Sequence, residues 1–467
     1  MYKEMYSPDI QYRCDIIRGK AQKELDNLLP SYANIVSELC PNTKDNFKFE
    51  FNNKLSNIIY KNDYNLLDEN NQKTIDNHRT EIAGKLFGLY FSVNDIVYES
   101  ESNRKLLEDN DQPAFFKNIC LNFQFPNGTQ AIQTVIERIN DNIRFKPFHF
   151  IISLVSLAKE RKIVLNKDEI GYYVLNSKQV LQGLVEIHSV LEEILKDRAN
   201  GISKKVKSGS FNTQHIREQL NLLSLANLII IDNNSIIINQ GETRTINLFI
   251  EELNSPLKFD IYNFDLSSVE SRKVMYSEWS EYFGKIAVQD YELISTTIES
   301  LRRVEIEVPV VPKVGINQTI LGDEGEEFVF TLEKNRVSST HSRLTNKVIL
   351  LGKQRGLGYD IASVEANENR EEPEFARFIE VKSTKRITEP DLEDTTWIDT
   401  INLTRKEWIA AKQYRTAYNI YRVYFTPNST VVRKINDPFN KNENGIINVL
   451  PTLYRMDFGS QSIDKQY

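Results

Sequence analysis

The stretch Phe378-Ile379-Glu380-Val381-Lys382-Ser383 alternates apolar and polar residues with the period of a β-strand. Successive side chains on a strand point to opposite faces, so Glu380 and Lys382 share one face while Ile379 and Val381 share the other. Two interpretations of this pattern are open. Either a half-exposed strand carries a surface charge pair, or Glu380 is a hard oxygen ligand of a metal ion and Lys382 holds a nucleophilic water.

Two upstream segments favour the metal site. The run Gly356–Ala362 predicts a glycine turn that leads into a strand, with Asp360 near the start of that strand. Further back, Gly322–Glu327 leads into Phe328–Leu332, a predicted helix with Glu326 in its first turn. The order of a helix carboxylate, a strand aspartate and a strand Glu-x-Lys resembles the PD-(D/E)XK nucleases.

The resemblance narrows to one branch of that superfamily, the protein NO VEIN C-terminal domain family. The motifs that carry it lie between Ile320 and about Phe425: Gly322-x-x-Gly325-Glu326, Gly358–Ile361, Ile379–Ser383, Thr404–Trp408 and Tyr418–Phe425. From their spacing alone, Thr404 and Glu407 form a capping box that predicts a helix start at Thr404. One departure from the family is an acidic insert before Glu380, which we expect to be a solvated hairpin loop and which contains Glu368, Glu371, Glu372 and Glu374.

The resemblance implies a fold class and a site. The expected fold is an α/β (α+β) PD-(D/E)XK nuclease domain, preceded by helical and winged-helix domains. The implied catalytic residues are Glu326, Asp360, Glu380 and Lys382. The implied metal ligands are the carboxylates of Asp360 and Glu380 and the carbonyl of Val381, holding Mg²⁺ or, as an alternative, Mn²⁺.

Composition sets the limits for the rest of the chain. Its 467 residues are 40% hydrophobic and 26% charged, which indicates a globular protein of about three domains. No apolar run has the length of a membrane span and the first residues do not resemble a signal peptide, so a cytoplasmic protein is expected. Three cysteines, an odd count with no paired spacing, and five scattered histidines predict neither a disulfide framework nor a zinc site.

The middle of the chain has the outline of a winged helix. A predicted helix from Thr213 to Leu225, capped by Asn212, is followed by two β-rich runs that are separated by Asp232–Ser235. Such a fold lays one helix in the DNA major groove, although it also serves as a plain protein-binding module. The predicted nucleic-acid contacts are Lys204, Lys205, Lys207, Gln214, His215 and Arg217.

These patterns predict four parts of the chain. They are a helical N-terminal region (1–140), a winged-helix-like recognition region (141–245), a helical segment with a linker at Val304–Gly315 (246–316) and the nuclease domain (317–467). The overall layout is similar to type II restriction endonucleases.

The leading hypothesis is therefore a Mg²⁺-dependent DNA endonuclease of restriction or anti-phage defence type. It would act on double-stranded DNA, with a homodimer on DNA as one arrangement. Two alternatives stay open: a nuclease effector subunit that a defence-system partner protein directs to its target, and a catalytically inactive nucleic-acid-binding module.

Overall fold

The computed structural model of the chain describes residues 12–14, 22–207, 209–285, 291–302, 320–352, 357–369, 371–390 and 398–449. The fold is of the mixed α+β class, rich in helices and with small sheets. The chain divides into two compact units. The first comprises Met1–Leu321, Ser383–Ile401 and Val423–Val432, and the second comprises Gly322–Lys382, Asn402–Arg422 and Arg433–Tyr467. The predicted linker lies outside the described residues, and the predicted boundaries at 140 and 245 stay predictions.

The first unit is mainly helical. In chain order its elements are α1 (Gln22–Leu39), β1 (Asn42–Thr43), α2 (Lys44–Tyr60), α3 (Glu69–Asn77), β2 (Tyr90–Val93), β3 (Ile96–Glu99), α4 (Glu101–Asp109), α5 (Gln112–Asn122), α6 (Ile132–Asn140), α7 (Pro147–Glu160), β4 (Leu165–Asn166), α8 (Lys167–Glu169), α9 (Lys178–Leu181), α10 (Ile187–Ala199), α11 (Ser210–Leu225), β5 (Ile229–Asp232), β6 (Ser235–Ile238), α12 (Thr243–Glu251), α13 (Val269–Lys285), α14 (Tyr291–Ile294) and α15 (Ile298–Leu301). Two π-helical segments, His78–Leu86 and Ile170–Leu175, continue α3 and α8.

The same topology occurs twice in this unit. In each copy a long helix leads to a two-residue strand, then to further helices and then to a hairpin whose second strand pairs with the two-residue strand. The resulting strand orders are β1-β3-β2 and β4-β6-β5. The N-terminal region was predicted to be mostly helical, and its three-stranded sheet was missed because β1 is too short to show a period of two.

Both hairpins have turns that suit their sequences. Asn94 and Asp95 join β2 to β3 with φ angles of 48° and 64°, the left-handed conformation that a two-residue type I′ turn requires and that Asn and Asp tolerate. The hairpin predicted around Asp232–Ser235 is confirmed as β5 and β6, with Asp232 paired to Ser235. Helix α11 begins at Ser210, before the predicted cap, so Asn212 lies inside the helix.

The rest of the chain supplies a five-stranded sheet and the helices around it. These elements are α16 (Ile320–Thr340), β7 (Ile349–Leu350), β8 (Ile361–Val364), β9 (Ala376–Lys385), α17 (Arg405–Tyr414), β10 (Tyr418–Phe425), β11 (Thr430–Asn436) and α18 (Pro438–Glu443). The strand order is β11-β10-β9-β8-β7, with β7, β8 and β9 antiparallel. The second unit contains β9 up to Lys382 and β10 up to Arg422.

One face of β9 carries a buried ion network. Arg377 is fully buried, and its guanidinium pairs with Glu365 at 2.5 Å and with Glu333 of α16 at 3.8 Å. Arg377 also donates to Tyr421 Oη at 3.0 Å and pairs with Glu368 at 2.9 Å. The acidic insert is therefore only partly a solvated loop, because Glu365 and Glu368 compensate a buried cation. This face serves packing, and the alternation of the strand directs Glu380 and Lys382 to the other face.

None of the helices among the described residues is long and apolar enough to cross a membrane.

Candidate active site on strand β9

Asp360 is held against β9 by two hydrogen bonds. Its backbone N–H donates to the carbonyl of Ile379 at 2.9 Å, and its Oδ2 accepts the N–H of Val381 at 2.8 Å. Both partners are the immediate neighbours of Glu380 in the chain. The register that pairs Ile361 with Ile379 makes this possible, because it places the residue before β8 beside the middle of β9. The predicted Asp360 and Glu380 are thus brought together.

Lys382 lies between two carboxylates. Its Nζ is 2.7 Å from Glu380 Oε1 and 2.9 Å from Glu407 Oε2. All three side chains are largely removed from solvent, with 22% of Lys382, 5% of Glu380 and 13% of Glu407 exposed. The charge pair that the sequence left open as an alternative is therefore present, but at a buried position rather than on a solvated surface.

Helix α17 brings Glu407 to this cluster. The predicted capping box is confirmed: Thr404 Oγ1 accepts the N–H of Glu407 at 3.3 Å, and Glu407 Oε2 accepts the N–H of Thr404 at 2.9 Å. The start of the helix lies close to Gly358, where an added Cβ would come within 2.7 Å of the Lys406 carbonyl oxygen. Gly358 also has a φ of +77°, so both its conformation and the close approach require glycine.

The end of α17 packs on the same face of β9. The ring centroids of Phe378 and Tyr414 are 4.2 Å apart, and Tyr359 lies 4.7 Å from Phe378. Phe378 shares its face with Glu380 and Lys382 by strand alternation. Aromatic packing therefore fixes one end of the helix, and the Gly358 contact fixes the end that carries Glu407.

Burial raises the pKa values of both central carboxyl groups. For Asp360, the Val381 N–H and the Lys382 charge oppose this rise, while the Glu407 charge adds to it. For Glu380, Lys382 opposes the rise, and the charges of Asp360 and Glu407 add to it. Three carboxylates share one ammonium, so these four side chains carry a net charge of −2 when all are ionised. Such a cluster favours the binding of a cation.

The donor chemistry suits a hard divalent cation. Asp360 and Glu380 offer carboxylate oxygens, and Mg²⁺ is commonly bound through only one or two protein carboxylates with water and phosphate completing its shell. Within the part of the chain that the structure describes, no group of three or more His, Cys, Asp or Glu side chains is arranged to hold a metal ion. The predicted ligands of such an ion stay the carboxylates of Asp360 and Glu380 and the carbonyl of Val381.

Glu326 lies elsewhere in the helix than predicted. Helix α16 begins at Ile320, so Glu326 is in its second turn rather than its first. Its Oε2 lies 3.0 Å from the point that a Cβ on Gly352 would occupy, and the Gly352 N–H donates to the Asp360 carbonyl. Glu326 thus lies near the backbone of Asp360.

Sequence reasoning missed two members of this cluster. Glu407 was recognised only as a cap, because the spacing of a capping box carries no signal of burial or of a contact with Lys382. Tyr418, at the start of β10, is fully buried and donates to the Gly358 carbonyl at 2.8 Å. Burial and the charges of Glu380, Glu407 and Asp360 raise the pKa of its hydroxyl.

The predicted lysine contacts lie in the loop after α10. Lys204 is 3.0 Å from Asp197 and only 21% exposed, and Lys205 is 3.4 Å from Asp168 with 64% exposed. Lys207 is also exposed. A phosphate that approached this loop would compete with Asp197 for Lys204, whereas Lys205 and Lys207 are more accessible.

The predicted contacts on α11 differ in accessibility. Arg217 is exposed, and Gln214 is partly exposed and donates to Glu218 at 2.7 Å. His215, however, is only 2% exposed, and burial together with the nearby Arg13 charge lowers its pKa to about 3. A direct contact of His215 with DNA is therefore incompatible with this conformation. The reason is that His215 lies next to Ile216 on the side of the helix that faces the core.

Family models match both parts of the chain. Residues 6–280 match the model described as restriction endonuclease BpuJI, N terminal, and residues 325–435 match protein NO VEIN, C-terminal. Because the first match spans more than half of the chain, the chain belongs to the restriction endonuclease BpuJI N-terminal family. The predicted resemblance to the NO VEIN family is confirmed, while membership of the PD-(D/E)XK superfamily stays a prediction.

A solved structure agrees with the N-terminal match. It is described as pyrene- and phenanthrene-modified DNA in complex with the BpuJ1 endonuclease binding domain. The sequence identity is 44%, the match covers 60% of this chain and 100% of that chain, and the TM-score is 0.56. Among curated proteins, none matches the chain.

Proposed function

We propose that the chain is a Mg²⁺-dependent DNA endonuclease of restriction type that binds duplex DNA through its N-terminal part and hydrolyses phosphodiester bonds at the β9 cluster. The observation that carries this proposal is the position of the Lys382 ammonium, which lies beside Glu380, while Asp360 is hydrogen-bonded to Ile379 and Val381, the two chain neighbours of Glu380. A surface charge pair would need neither burial nor a third carboxylate.

Asp360 and Glu380 would hold the cation in this proposal. The Val381 N–H donates to the Asp360 carboxylate and orients it. The Lys382 ammonium pairs with Oε1 of Glu380, which leaves Oε2 as the oxygen that can face a cation. The Val381 carbonyl is the proposed third ligand, and Mn²⁺ is the alternative metal. A bound cation of this kind makes a nucleophile of water at neutral pH and offsets negative charge on the scissile phosphate.

Lys382 has a different role because an ammonium cannot bind a cation. We assign it to orienting the attacking water or to stabilising the negative charge that develops on phosphate, which is a preorganised electrostatic contribution. Water adds to phosphorus as the bond to the leaving oxygen breaks. The attacking water loses a proton to solvent, and the leaving oxygen takes one up from solvent. Glu326 is the fourth proposed catalytic residue and would act at the outer edge of the site.

Support for DNA as the substrate comes from the N-terminal part. The relative in the solved complex is a DNA-bound endonuclease domain, and this chain covers all of it at 44% identity. The two copies of the repeated topology, with strand orders β1-β3-β2 and β4-β6-β5, resemble the outline of a winged helix. Winged helices place one helix in the major groove of duplex DNA. Duplex RNA is disfavoured, because its major groove is too narrow to admit a helix.

Replacing Lys204, Lys205 and Lys207 by alanine tests the predicted DNA surface. We expect weaker DNA binding and a flatter dependence of log affinity on log salt, by about 0.9 for each lysine that contacts a phosphate. Fluorescence anisotropy at several salt concentrations measures both, and a melting curve shows whether loss of the Lys204–Asp197 pair has disturbed the fold. An unchanged affinity and slope would assign this loop to protein contacts instead.

The proposed function is tested by incubating the full-length protein with plasmid and phage DNA in Mg²⁺, in Mn²⁺ and in EDTA. Cleavage with either metal and intact DNA in EDTA are the expected results. Binding without cleavage under all conditions would contradict the enzymatic proposal and favour a binding module. Cleavage that needs an added partner protein would favour the effector-subunit alternative.

A further inference from the structure

The Glu407 carboxylate makes a hydrogen bond within its own helix and an ion pair with a residue of another element. Its carboxylate closes the capping box of α17 through the N–H of Thr404, at 2.9 Å. The same oxygen, Oε2, lies 2.9 Å from Nζ of Lys382, which is on a strand more than twenty residues earlier in the chain. A cap needs only the first contact, so helix capping does not account for the second.

The position of Glu407 is set by rigid surroundings. The first turn of α17 approaches Gly358 so closely that an added Cβ would also lie 2.9 Å from Ala410 Cβ. The capping box fixes the rotamer of Glu407 from within the helix. Its carboxylate is therefore presented to Lys382 by packed backbone rather than by a flexible side chain alone.

The Lys382 ammonium needs a second contact, besides Glu380, to hold it in place. A lysine side chain has four rotatable carbon bonds and loses considerable entropy when its ammonium is held at one point. Glu380 provides one contact at 2.7 Å, but in the proposed function Glu380 also binds a divalent cation. That cation would repel the ammonium and compete with it for the carboxylate. Glu407 contacts Lys382 from a different element and can retain it.

We infer that Glu407 is a positioning residue that keeps the Lys382 ammonium in the active site when a cation is bound to Glu380. The inference rests on the proposed function. It assigns to Glu407 no contact with substrate or metal. The Glu407 charge also acts on the pKa values of Asp360 and Glu380, so its effect on the chemical step should pass through Lys382 when Mg²⁺ is saturating.

A double-mutant cycle tests this dependence. Glu407→Ala is expected to lower the cleavage rate constant at saturating DNA to a similar extent as Lys382→Ala, on the order of 10²-fold. The double variant should be no slower than Lys382→Ala alone, because a residue that acts only through Lys382 has no effect once Lys382 is removed. Glu407→Gln keeps an acceptor for both N–H donors and should recover part of the rate.

Two variants separate positioning from helix capping. Thr404→Val removes the cap hydroxyl but leaves the Glu407 carboxylate, so it should lower the melting temperature and have little effect on the rate. Glu443→Ala removes an exposed acid that is paired with Arg415 at 2.7 Å in the same unit, and it should change neither.

Chemical labelling gives a readout that does not require cleavage. The whole protein is acetylated with N-hydroxysuccinimide acetate, and peptide mass spectrometry measures the modification of Lys382. We expect Lys382 to be acetylated slowly in the wild type and in Glu443→Ala but faster in Glu407→Ala. Mg²⁺ affinity, measured by calorimetry, should change far less in Glu407→Ala than in Glu380→Ala.

The outcomes distinguish the inference from the function on which it rests. The positioning role would be overturned, and the nuclease activity left intact, by either of two results. One is that the wild type and Glu407→Ala cut DNA equally fast. The other is that the loss of rate in the double variant equals the product of the losses in the single variants. A wild-type protein that cuts no DNA in Mg²⁺ or Mn²⁺ would overturn both.

Discussion

Replacing Asp360 or Glu380 by alanine is expected to abolish both metal binding and DNA cleavage while leaving DNA binding intact. The two carboxylates are the proposed protein side-chain ligands, and their neighbours hold them around one point of β9. Calorimetry with Mg²⁺ and a plasmid assay measure the two losses separately. Either variant cutting DNA at the wild-type rate would contradict the proposed site.

A buried acid on helix α16 provides a control. Glu333 pairs with Arg336 at 2.7 Å and lies 3.8 Å from Arg377, whose side chain is on the face of β9 opposite to Glu380. Glu333→Gln should lower stability without affecting Mg²⁺ affinity. Loss of metal binding in Glu333→Gln would show that general disruption of the fold, rather than loss of a ligand, explains the alanine variants.

The same two carboxylates make metal binding depend on pH in a defined direction. Their pKa values are raised in the metal-free protein, so protons compete with Mg²⁺ at pH values above the ordinary range of carboxyl groups. Mg²⁺ affinity should therefore rise with pH and fall as the carboxyls become protonated, with protons released on binding. Calorimetry in buffers of different ionisation enthalpy measures that release.

Lys382→Ala is expected to retain Mg²⁺ and DNA binding but to lose cleavage by roughly 10²–10³-fold, if it resembles the removal of one oxyanion donor. The reason is that the ammonium contributes to the transition state without binding the cation. Single-turnover cleavage at saturating DNA and Mg²⁺ measures this effect.

The competing interpretation treats Lys382 as a structural partner of Glu380 and Glu407. In that case Lys382→Met, which keeps the length of the side chain but not its charge, would destabilise the fold and cut DNA normally once folded. A normal rate in both Lys382 variants would remove the catalytic role and much of the support for a nuclease site on β9.

Local sequence patterns predicted the elements of the second unit well. The strand with Glu380, the strand that follows Asp360, the helix that starts after Thr404 and the β10 run are all confirmed. Each depends on short-range rules of alternation or capping that act within a few residues. The placement of Glu326 was wrong because the helix extends upstream through residues that gave no start signal.

Burial was harder to predict than secondary structure. His215 was read as a polar residue on an exposed helix face, but the packing of Ile216 and Leu220 turns its side of α11 inward. Conversely, Glu368 was read as part of a solvated loop and instead pairs with Arg377. In both cases exposure is decided by contacts that form only in the folded chain, such as the approach of Arg13 to His215 and of Glu368 to Arg377.

Strand alternation and the capping box were enough to predict that β9 places Glu380 and Lys382 on one face and that Glu407 caps a helix. That these two elements meet, with Lys382 between the carboxylates and Asp360 bonded to Val381, became known only from the folded chain. The physical reason is that alternation and capping are properties of adjacent backbone, whereas the meeting depends on close packing at Gly358 and on the β8–β9 register. Those contacts join residues that no local pattern connects.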